Sequence, residues 1–359
     1  MTTLDAQTLP GLPGGPPVHR RRHRKADGRD LWLYGHERHS GNPLPEEATP
    51  VAEGGELRFH PLRRDWNLYA PHRQNRTFKP SRADDPLAPS RPGSPATEIP
   101  FETFELAVFE NKFTSLHRNA PVPPAVPGVE SATARGHCDV VVYTPEAEGN
   151  LHSVGQNRRR LLLAAWIDRY EALHRAGSKF VLPFESRGEA VGVTLHHPHG
   201  QIYAFPFVPD VQARAAESFA AGYDLAREMR DWDAYTVCRA GGLRAVCPPF
   251  ARFPLEAWIV PESPVRGPWA FGAEAADGFA HLLGEMTRRY DAYFQGPTAY
   301  MLGLHAAPPD APAWQFTAQI YPLLRAPGRV KYLASVEQHT GAFTVDVMPE
   351  RAAELLRSQ

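Results

Sequence analysis

The residues of this chain best suited to chemistry stand together in one stretch, His196-His197-Pro198-His199-Gly200-Gln201-Ile202-Tyr203. Apolar residues bracket it: Val191, Val193 and Leu195 before, Phe205 and Phe207 after. β-Branched and aromatic types near period two are the pattern of a β-strand. Alternate residues of a strand share a face, so His197, His199 and Gln201 are expected to point one way, with His196 and Pro198 on the other. Pro198 favours an edge or a bulge. A buried strand has little reason to carry two histidines and a glutamine on one face unless that face lines a site.

Three chemistries fit such a face. The histidines could be structural, each satisfied by local hydrogen bonds. They could bind zinc, but a closed site needs about four ligands, and no spacing singles out a further ligand among His60, His72, His137 and His305. Or one of them could attack phosphorus. Neutral imidazole makes a labile phosphoramidate, which divides one hard displacement into two easier ones. Gln201 would then donate to a phosphoryl oxygen without a change of charge. Phosphate chemistry also needs positive charge and orienting donors. Arg73, Arg76 and Lys331 are candidates for the charge, and Asn111 for orienting a base or sugar.

The rest of the chain must position these groups. With 359 residues, 42% apolar and 22% charged, it has the composition of a soluble globular protein of one large α/β domain or two medium ones. A net charge of −1 argues against a bulk nucleic-acid binder. No run approaches the ~18 apolar residues of a membrane span. Three cysteines without a Cys-x-x-Cys pair point to a reducing cytoplasm rather than a disulfide framework. The N-terminal residues 1–28, Pro/Gly-rich and then basic at Arg20 to Lys25, read as a disordered tail, with a short strand at Leu31 to Tyr34 and a Pro/Glu-rich loop to Gly55. Strands are expected at Trp66–Ala70, Phe104–Phe109, Val140–Tyr143 (an apolar run buried on both faces) and Lys179–Phe184. An amphipathic helix spans 153–176, with Arg158, Arg159, Asp168 and Arg169 mostly opposite its apolar stripe and Gly177 as its stop. Further helices are expected over 212–230 and 273–294, and strands at Val246–Cys247, Ala257–Val260 and Ala299–Leu304. Gly200-Gln201-Ile202-Tyr203 can be laid over Ala318-Gln319-Ile320-Tyr321, with Thr317 at the place of His199. This is a short internal duplication in which the second copy lacks the histidines.

His197-Pro198-His199-Gly200-Gln201-Ile202-Tyr203 resembles the active-site motif of the galactose-1-phosphate uridylyltransferases, a branch of the histidine-triad superfamily. Pro71-His72-Arg73-x-x-Arg76 is similar to that family's early arginine segment, and Phe109 to Phe113 to its nucleotide-binding segment, with Lys112 in place of an acid. Phe184 to Gly188 is similar to its Phe-Glu-Asn-Lys-Gly segment, and Val330 to Glu337 to its C-terminal sugar-binding segment. The order and near-matching spacing hold over about residues 56–357. The resemblance implies a ping-pong reaction. His199 would attack the α-phosphorus of UDP-glucose, and the uridylyl-histidine would pass UMP to galactose 1-phosphate. Gln201 would hold the phosphoryl oxygens. Related nucleotide hydrolases carry a third histidine there, and glutamine, which cannot titrate, fits transfer to a sugar phosphate better than transfer to water. His197 would support the nucleophile. Arg73, Arg76, Asn111, Phe113, Glu185, Ser186 and Thr194 would surround the uridylyl group, and Lys331, Tyr332, Val336 and Glu337 would face the hexose, in a homodimer whose subunits share substrate contacts.

The sequence departs from the family at its metals. The structural zinc pair Cys-x-x-Cys is replaced by Asp85-Pro86-Leu87-Ala88, and a later histidine ligand by Ala147, leaving His197 with Asp85 as a conceivable second ligand. A second-half His-x-His that holds iron in some members is Thr317-Ala318-Gln319 here. No metal and no cofactor are therefore expected. The expected fold is α/β (α+β): an irregular extension over 1–55 and two histidine-triad-like halves, 56–210 with the catalytic motif and 211–357 without it, joined in one extended, mainly antiparallel sheet with flanking helices. The alternatives are a nucleotide phosphorylase or adenylyltransferase using the same histidine, and a non-catalytic nucleotide-binding protein.

Overall fold

The computed structural model describes residues 6–48, 50–52, 54–75, 80–81 and 84–359. The first part of the chain forms β1 (Ala6–Leu9), β2 (Val18–Arg24), β3 (Asp30–Gly35), β4 (Glu56–His60), β5 (Asp65–Tyr69), β6 (Leu106–Glu110), β7 (Ser131–Thr133), β8 (His137–Val142), α1 (Gly155–Arg175), β9 (Phe180–Arg187) and β10 (His199–Phe205). The second forms α2 (Asp210–Ala220), α3 (Leu225–Glu228), β11 (Thr236–Ala240), β12 (Leu243–Val246), β13 (Ala257–Pro261), α4 (Ala273–Phe294), β14 (Tyr300–His305), β15 (Thr317–Pro322), β16 (Leu324–Ala326), β17 (Arg329–Val330), α5 (Ser335–Thr340) and α6 (Pro349–Arg357). The helix expected over 212–230 is interrupted at Gly222, whose φ of 96° no helix continues. No described helix is long and apolar enough to cross a membrane.

Among the described residues, twelve strands make one antiparallel sheet in the order β1-β2-β3-β6-β8-β10-β9-β14-β15-β13-β12-β11. Read outward from the β9–β14 pair at its centre, the two sides mirror one another. β10, β8 and β6 lie on one side, and β15, β13 and β12 on the other. α1 joins β8 to β9 as α4 joins β13 to β14. The short match between Gln201-Ile202-Tyr203 and Gln319-Ile320-Tyr321 thus falls on β10 and β15, which hold equivalent places in the sheet.

Val140-Val141-Val142 shows why some strands are apolar on both faces. Val141 packs under α1 with Leu161, Leu162 and Ala165. Val140 and Val142 face the other way, against Leu87, Ile99 and Phe101 of the connecting segment before β6. Each such buried valine is worth about 1.5–3 kcal/mol. α1 and α4 lie side by side where Gly284 removes the side chain that would otherwise meet the Arg159 guanidinium, and Arg159 Nε donates to the Ala280 carbonyl.

The N-terminal segment corrects the expected irregular extension. β1, β2 and β3 extend the main sheet beyond β6. The basic run is strand β2, and its charges are met by partners both near and far along the chain. Arg20 donates to both oxygens of Asp168 at 2.7 and 2.8 Å. Arg22 and Arg24 pair with Asp30, and the buried Arg21 reaches the carbonyls of His39 and Gly41. The charged side of α1 is likewise not a solvent face. Arg169 is buried, donates to the fully buried Asp139 at 3.0 and 3.2 Å, and lies 3.8 Å over the Trp32 ring.

Candidate active site

β10 starts at His199, immediately after Pro198, so the ladder begins where a backbone N–H is again available. His197, expected on the same strand face, instead precedes the strand. His199 lies opposite Val142, and Gln201 opposite Val140 on one side and Phe184 on the other. The glycine between them has a steric reason: a Cβ at Gly200 would stand 2.8 Å from the Phe184 carbonyl oxygen. Any larger residue would push β9 away from the motif.

The His199 ring is oriented by the backbone. Its Nδ1 is 2.7 Å from the His197 carbonyl oxygen. A carbonyl only accepts, so Nδ1 carries the proton and Nε2 keeps its lone pair. Burial pushes the His199 pKa down; the hydrogen bond to His197 opposes this without reversing it. The ring is therefore neutral at neutral pH, the form in which imidazole is a nucleophile.

His197 is 2% exposed and bridges two chain segments. Nδ1 is 2.7 Å from Asp85 Oδ2, and Nε2 is 2.8 Å from the carbonyl oxygen of Thr144, just beyond β8. Both partners accept, so both ring nitrogens donate. Burial raises the Asp85 pKa, but the His197 hydrogen bond and the Leu87 N–H at 3.0 Å outweigh it and hold the carboxyl below its usual range. The family zinc does not fit these residues. Ala147, at the lost histidine position, presents a methyl group to the same cleft. Among the described residues no three His, Cys, Asp or Glu side chains gather as a metal site.

Two cavities meet at His199. A cleft of about 610 Å³ is lined by Tyr143, Glu185, Ser186, Arg187, His197 and His199 among others. A narrower pocket of about 130 Å³ runs the other way, past Arg73, Asn111, Phe113, Thr194, Leu195 and Gln201. Arg73 is placed by hydrogen bonds from Nη1 to the Phe113 carbonyl, at 3.0 Å, and to the Tyr203 hydroxyl, at 3.3 Å. Asn111 Oδ1 accepts from the Phe113 N–H at 2.9 Å, so its amide NH₂ is left for a ligand. A histidine that lines both a narrow pocket and a wide cleft suits a substrate split at that residue, one half in each cavity.

Most of the residues named from sequence come together here: Arg73, Asn111, Phe113, Ser186, Thr194, His197, His199 and Gln201. Arg76 lies outside the described residues. Glu185 is a different matter from the ligand expected of it. It is 4% exposed, and its two oxygens accept from the Tyr143 and Tyr300 hydroxyls at 2.7 and 2.9 Å, so it underpins the cleft wall. Burial pushes its pKa up against those hydrogen bonds. Lys331, Tyr332, Val336 and Glu337 do not line either cavity. Lys331 Nζ pairs with Glu337 at 2.6 Å, and Tyr332 is 79% exposed. Sequence reading missed Arg187, which lines the cleft and is fixed by Asp291 of α4 through bonds of 2.8 and 3.0 Å. Its place next to Ser186 in a matched segment was the available signal.

The chain is similar to known proteins. Residues 47–209 match the galactose-1-phosphate uridyl transferase, N-terminal domain family. The chain is 32% identical over 319 residues to a galactose-1-phosphate uridylyltransferase of Thermotoga maritima, across 84% of this chain and 98% of that one. A solved uridylyltransferase structure superposes with a TM-score of 0.73 at 25% identity, covering 84% of this chain and 97% of its own. An ADP-glucose phosphorylase from Arabidopsis thaliana, at 21% identity and a TM-score of 0.64, covers 84% of this chain and 98% of its own and shares the fold.

Proposed function

The chain belongs to the galactose-1-phosphate uridylyltransferase family, and from that premise we propose that it moves UMP from UDP-glucose to galactose 1-phosphate by a ping-pong mechanism. The observation that carries the proposal is the neutral His199, whose Nδ1–H is held by the His197 carbonyl and which lines both cavities. Uridine would occupy the pocket of Asn111, Phe113 and Thr194, and the hexose phosphate the wide cleft. Nε2 attacks the α-phosphorus, an N–P bond forms, and the P–O bond to glucose 1-phosphate breaks. The ring now carries positive charge, which the Nδ1–H bond to the His197 carbonyl stabilises. A phosphate oxygen of galactose 1-phosphate then attacks the same phosphorus, the N–P bond breaks, and His199 returns to its neutral form. Gln201 donates its amide N–H to the phosphoryl oxygens in both steps. It offers no proton to water, which favours the sugar phosphate as acceptor.

We further propose that the protein uses no zinc, since Asp85 and Thr144 already satisfy His197, and that it works as a homodimer. Tyr332 and Leu333 are 79% and 69% exposed on one short segment, and such a patch is suited to a partner subunit's cleft. Incubation with UDP-glucose labelled in the uridylyl phosphate tests the mechanism. The expected result is one acid-labile, alkali-stable label per chain on His199, released by galactose 1-phosphate and absent in His199→Ala. Label from ADP-glucose alone would favour a phosphorylase or adenylyltransferase instead, and full turnover by His199→Ala would remove the nucleophile assignment.

A further inference from the structure

The second half of the sheet carries a cavity where the first half carries its reacting strand. Strand register places it. Gln201 lies opposite Val140 and Phe184 on its two neighbours, and Gln319 opposite Trp258 and Gly303 on its own. Gln319 is therefore the counterpart of Gln201, and Thr317 the counterpart of His199. Over this face the helix α2 closes a cavity of about 690 Å³. That is the size of a small-molecule site, and larger than the pocket beside Gln201.

Its walls are aromatic. Phe250 and Trp258 pack edge to face with centroids 5.5 Å apart, as do Phe219 and Trp314, also at 5.5 Å. Phe250 stays 51% exposed at the rim. Charge is largely spent within the walls. Glu256 accepts from the Arg252 and Phe253 N–H groups and from Trp258 Nε1, at 2.7, 3.1 and 2.7 Å, while the Arg252 guanidinium lies 4.1 Å over the Phe343 ring. What remains for a ligand is neutral and two-sided. His305, opposite Thr317, is kept neutral by burial, which lowers its pKa to about 4, so its ring offers one donor and one acceptor. The buried Gln212 of α2 reaches His305 Nδ1 only at 3.5 Å, long for a hydrogen bond, which leaves its amide free to serve a ligand. One histidine does not make a metal site, and Arg252, the one arginine of the walls, lies over the Phe343 ring.

We propose that this cavity is a second, non-covalent site for a planar heteroaromatic ligand, a nucleobase or nucleoside, held between aromatic walls and read at its edge by Gln212 and His305. The duplicated unit has kept the glutamine strand and a ligand-sized space while the nucleophile's place has passed to threonine, so the site binds without reacting. The inference rests on the duplicated sheet and not on the uridylyl-transfer reading; loss of label in His199→Ala leaves it untouched.

Titration of the full chain with uridine, cytidine, adenosine and guanosine tests it, followed by calorimetry and by the fluorescence of Trp258 and Trp314. At least one nucleoside is expected to bind at a site that survives Asn111→Ala and quenches tryptophan emission. Phe250→Ala, at a half-exposed position that folding tolerates, should weaken that site roughly tenfold, as expected for one lost stacking partner. Gln212→Leu should weaken it as well and leave uridylyl transfer unchanged. Absence of saturable binding by all four nucleosides in the Asn111→Ala protein, or binding there that neither Phe250→Ala nor Gln212→Leu alters, overturns the proposal.

Discussion

Among the described residues, Asp85 is the one side chain that holds His197 from outside its own segment, and replacing it by alanine removes that hold. The hydrogen bond is 2.7 Å long, His197 is 2% exposed, and the Asp85 side chain is 11% exposed, so little solvent stands ready to take over. A hydrogen bond to a charged group such as the Asp85 carboxylate contributes about 1.5–3 kcal/mol, so the expected destabilisation is about 2–3 kcal/mol, read as a lower urea midpoint at unchanged slope. The effect on catalysis passes through one bond, since the His197 carbonyl is the acceptor for His199 Nδ1. A nucleophile displaced by ~1 Å loses about 10²-fold. We expect kcat to fall 10- to 100-fold on this basis, with KM for UDP-glucose changed less than about threefold. Asp85→Asn, which still offers an acceptor oxygen, should fall between wild type and Asp85→Ala in both measurements. All assays belong in chelator-treated buffer, with zinc measured on the same samples. An Asp85→Ala protein with the wild-type midpoint and kcat would refute the reasoning, as would one tightly held zinc per wild-type chain that the substitution removes.

Three further outcomes follow from the same geometry. Because burial lowers the His199 pKa, the acid limb of kcat/KM for the first half-reaction should have an apparent pKa below the ordinary histidine value of about 6.5; a limb above neutrality contradicts this. Gln201→His should release UMP to water in the absence of galactose 1-phosphate, at a rate at least about tenfold above wild type, because a titrating ring can activate water; unchanged hydrolysis measured by UMP release would sink the specificity argument. His305, with a folded pKa of about 4, binds its proton more readily when unfolded. Its contribution is thus complete above pH ~6.5 and is lost as pH falls towards 4, by on the order of 3 kcal/mol at about 1.36 kcal/mol per pKa unit. His305→Gln should flatten the urea-stability profile over that window by a similar amount, and an unaltered slope would count against the burial of this ring.

The strand of the motif, α1, α4 and the duplication were legible because each leaves a local mark: period-two apolar residues around His199, helical stripes ended by glycine or a left-handed residue, and Gln-Ile-Tyr written twice. The N-terminal strands were not. In Val18-His-Arg-Arg-Arg-His-Arg nearly every side chain is polar, and what makes it a strand is compensation supplied elsewhere, by Asp168 on α1 and by the hairpin partner Asp30. A window of sequence around Arg20 contains the charge and not its distant partner Asp168. For the same reason α1 seemed to keep a solvated face, since Asp168 is covered by Arg20 of the strand that composition assigned to a tail and Arg169 by Trp32 of β3. At the site, residue types announced the chemistry and set Asp85 beside His197, but which carbonyl meets the other ring nitrogen could not be read, because any residue at position 144 would supply one.

On the proposal that the protein uses no zinc, that carbonyl bears on how the site would hold together without one. By resemblance, the zinc would tie three segments together: the one at 85–88, the one ending at residue 147, and the motif at His197. The two hydrogen bonds of His197 tie the same three, Asp85 from the first, Thr144 from the second, and the ring itself from the third. A metal and a doubly bonded imidazole differ in strength and share a mechanical task, which is to fix the backbone at residue 197 whose oxygen orients His199. Substitution of Cys by Asp at position 85 and of His by Ala at 147 then costs bond strength and leaves the nucleophile aimed. On that proposal the chemistry at His199 depends on the carbonyl of His197 and not on what holds it, so it should tolerate the absence of the metal but not the loss of both partners of His197.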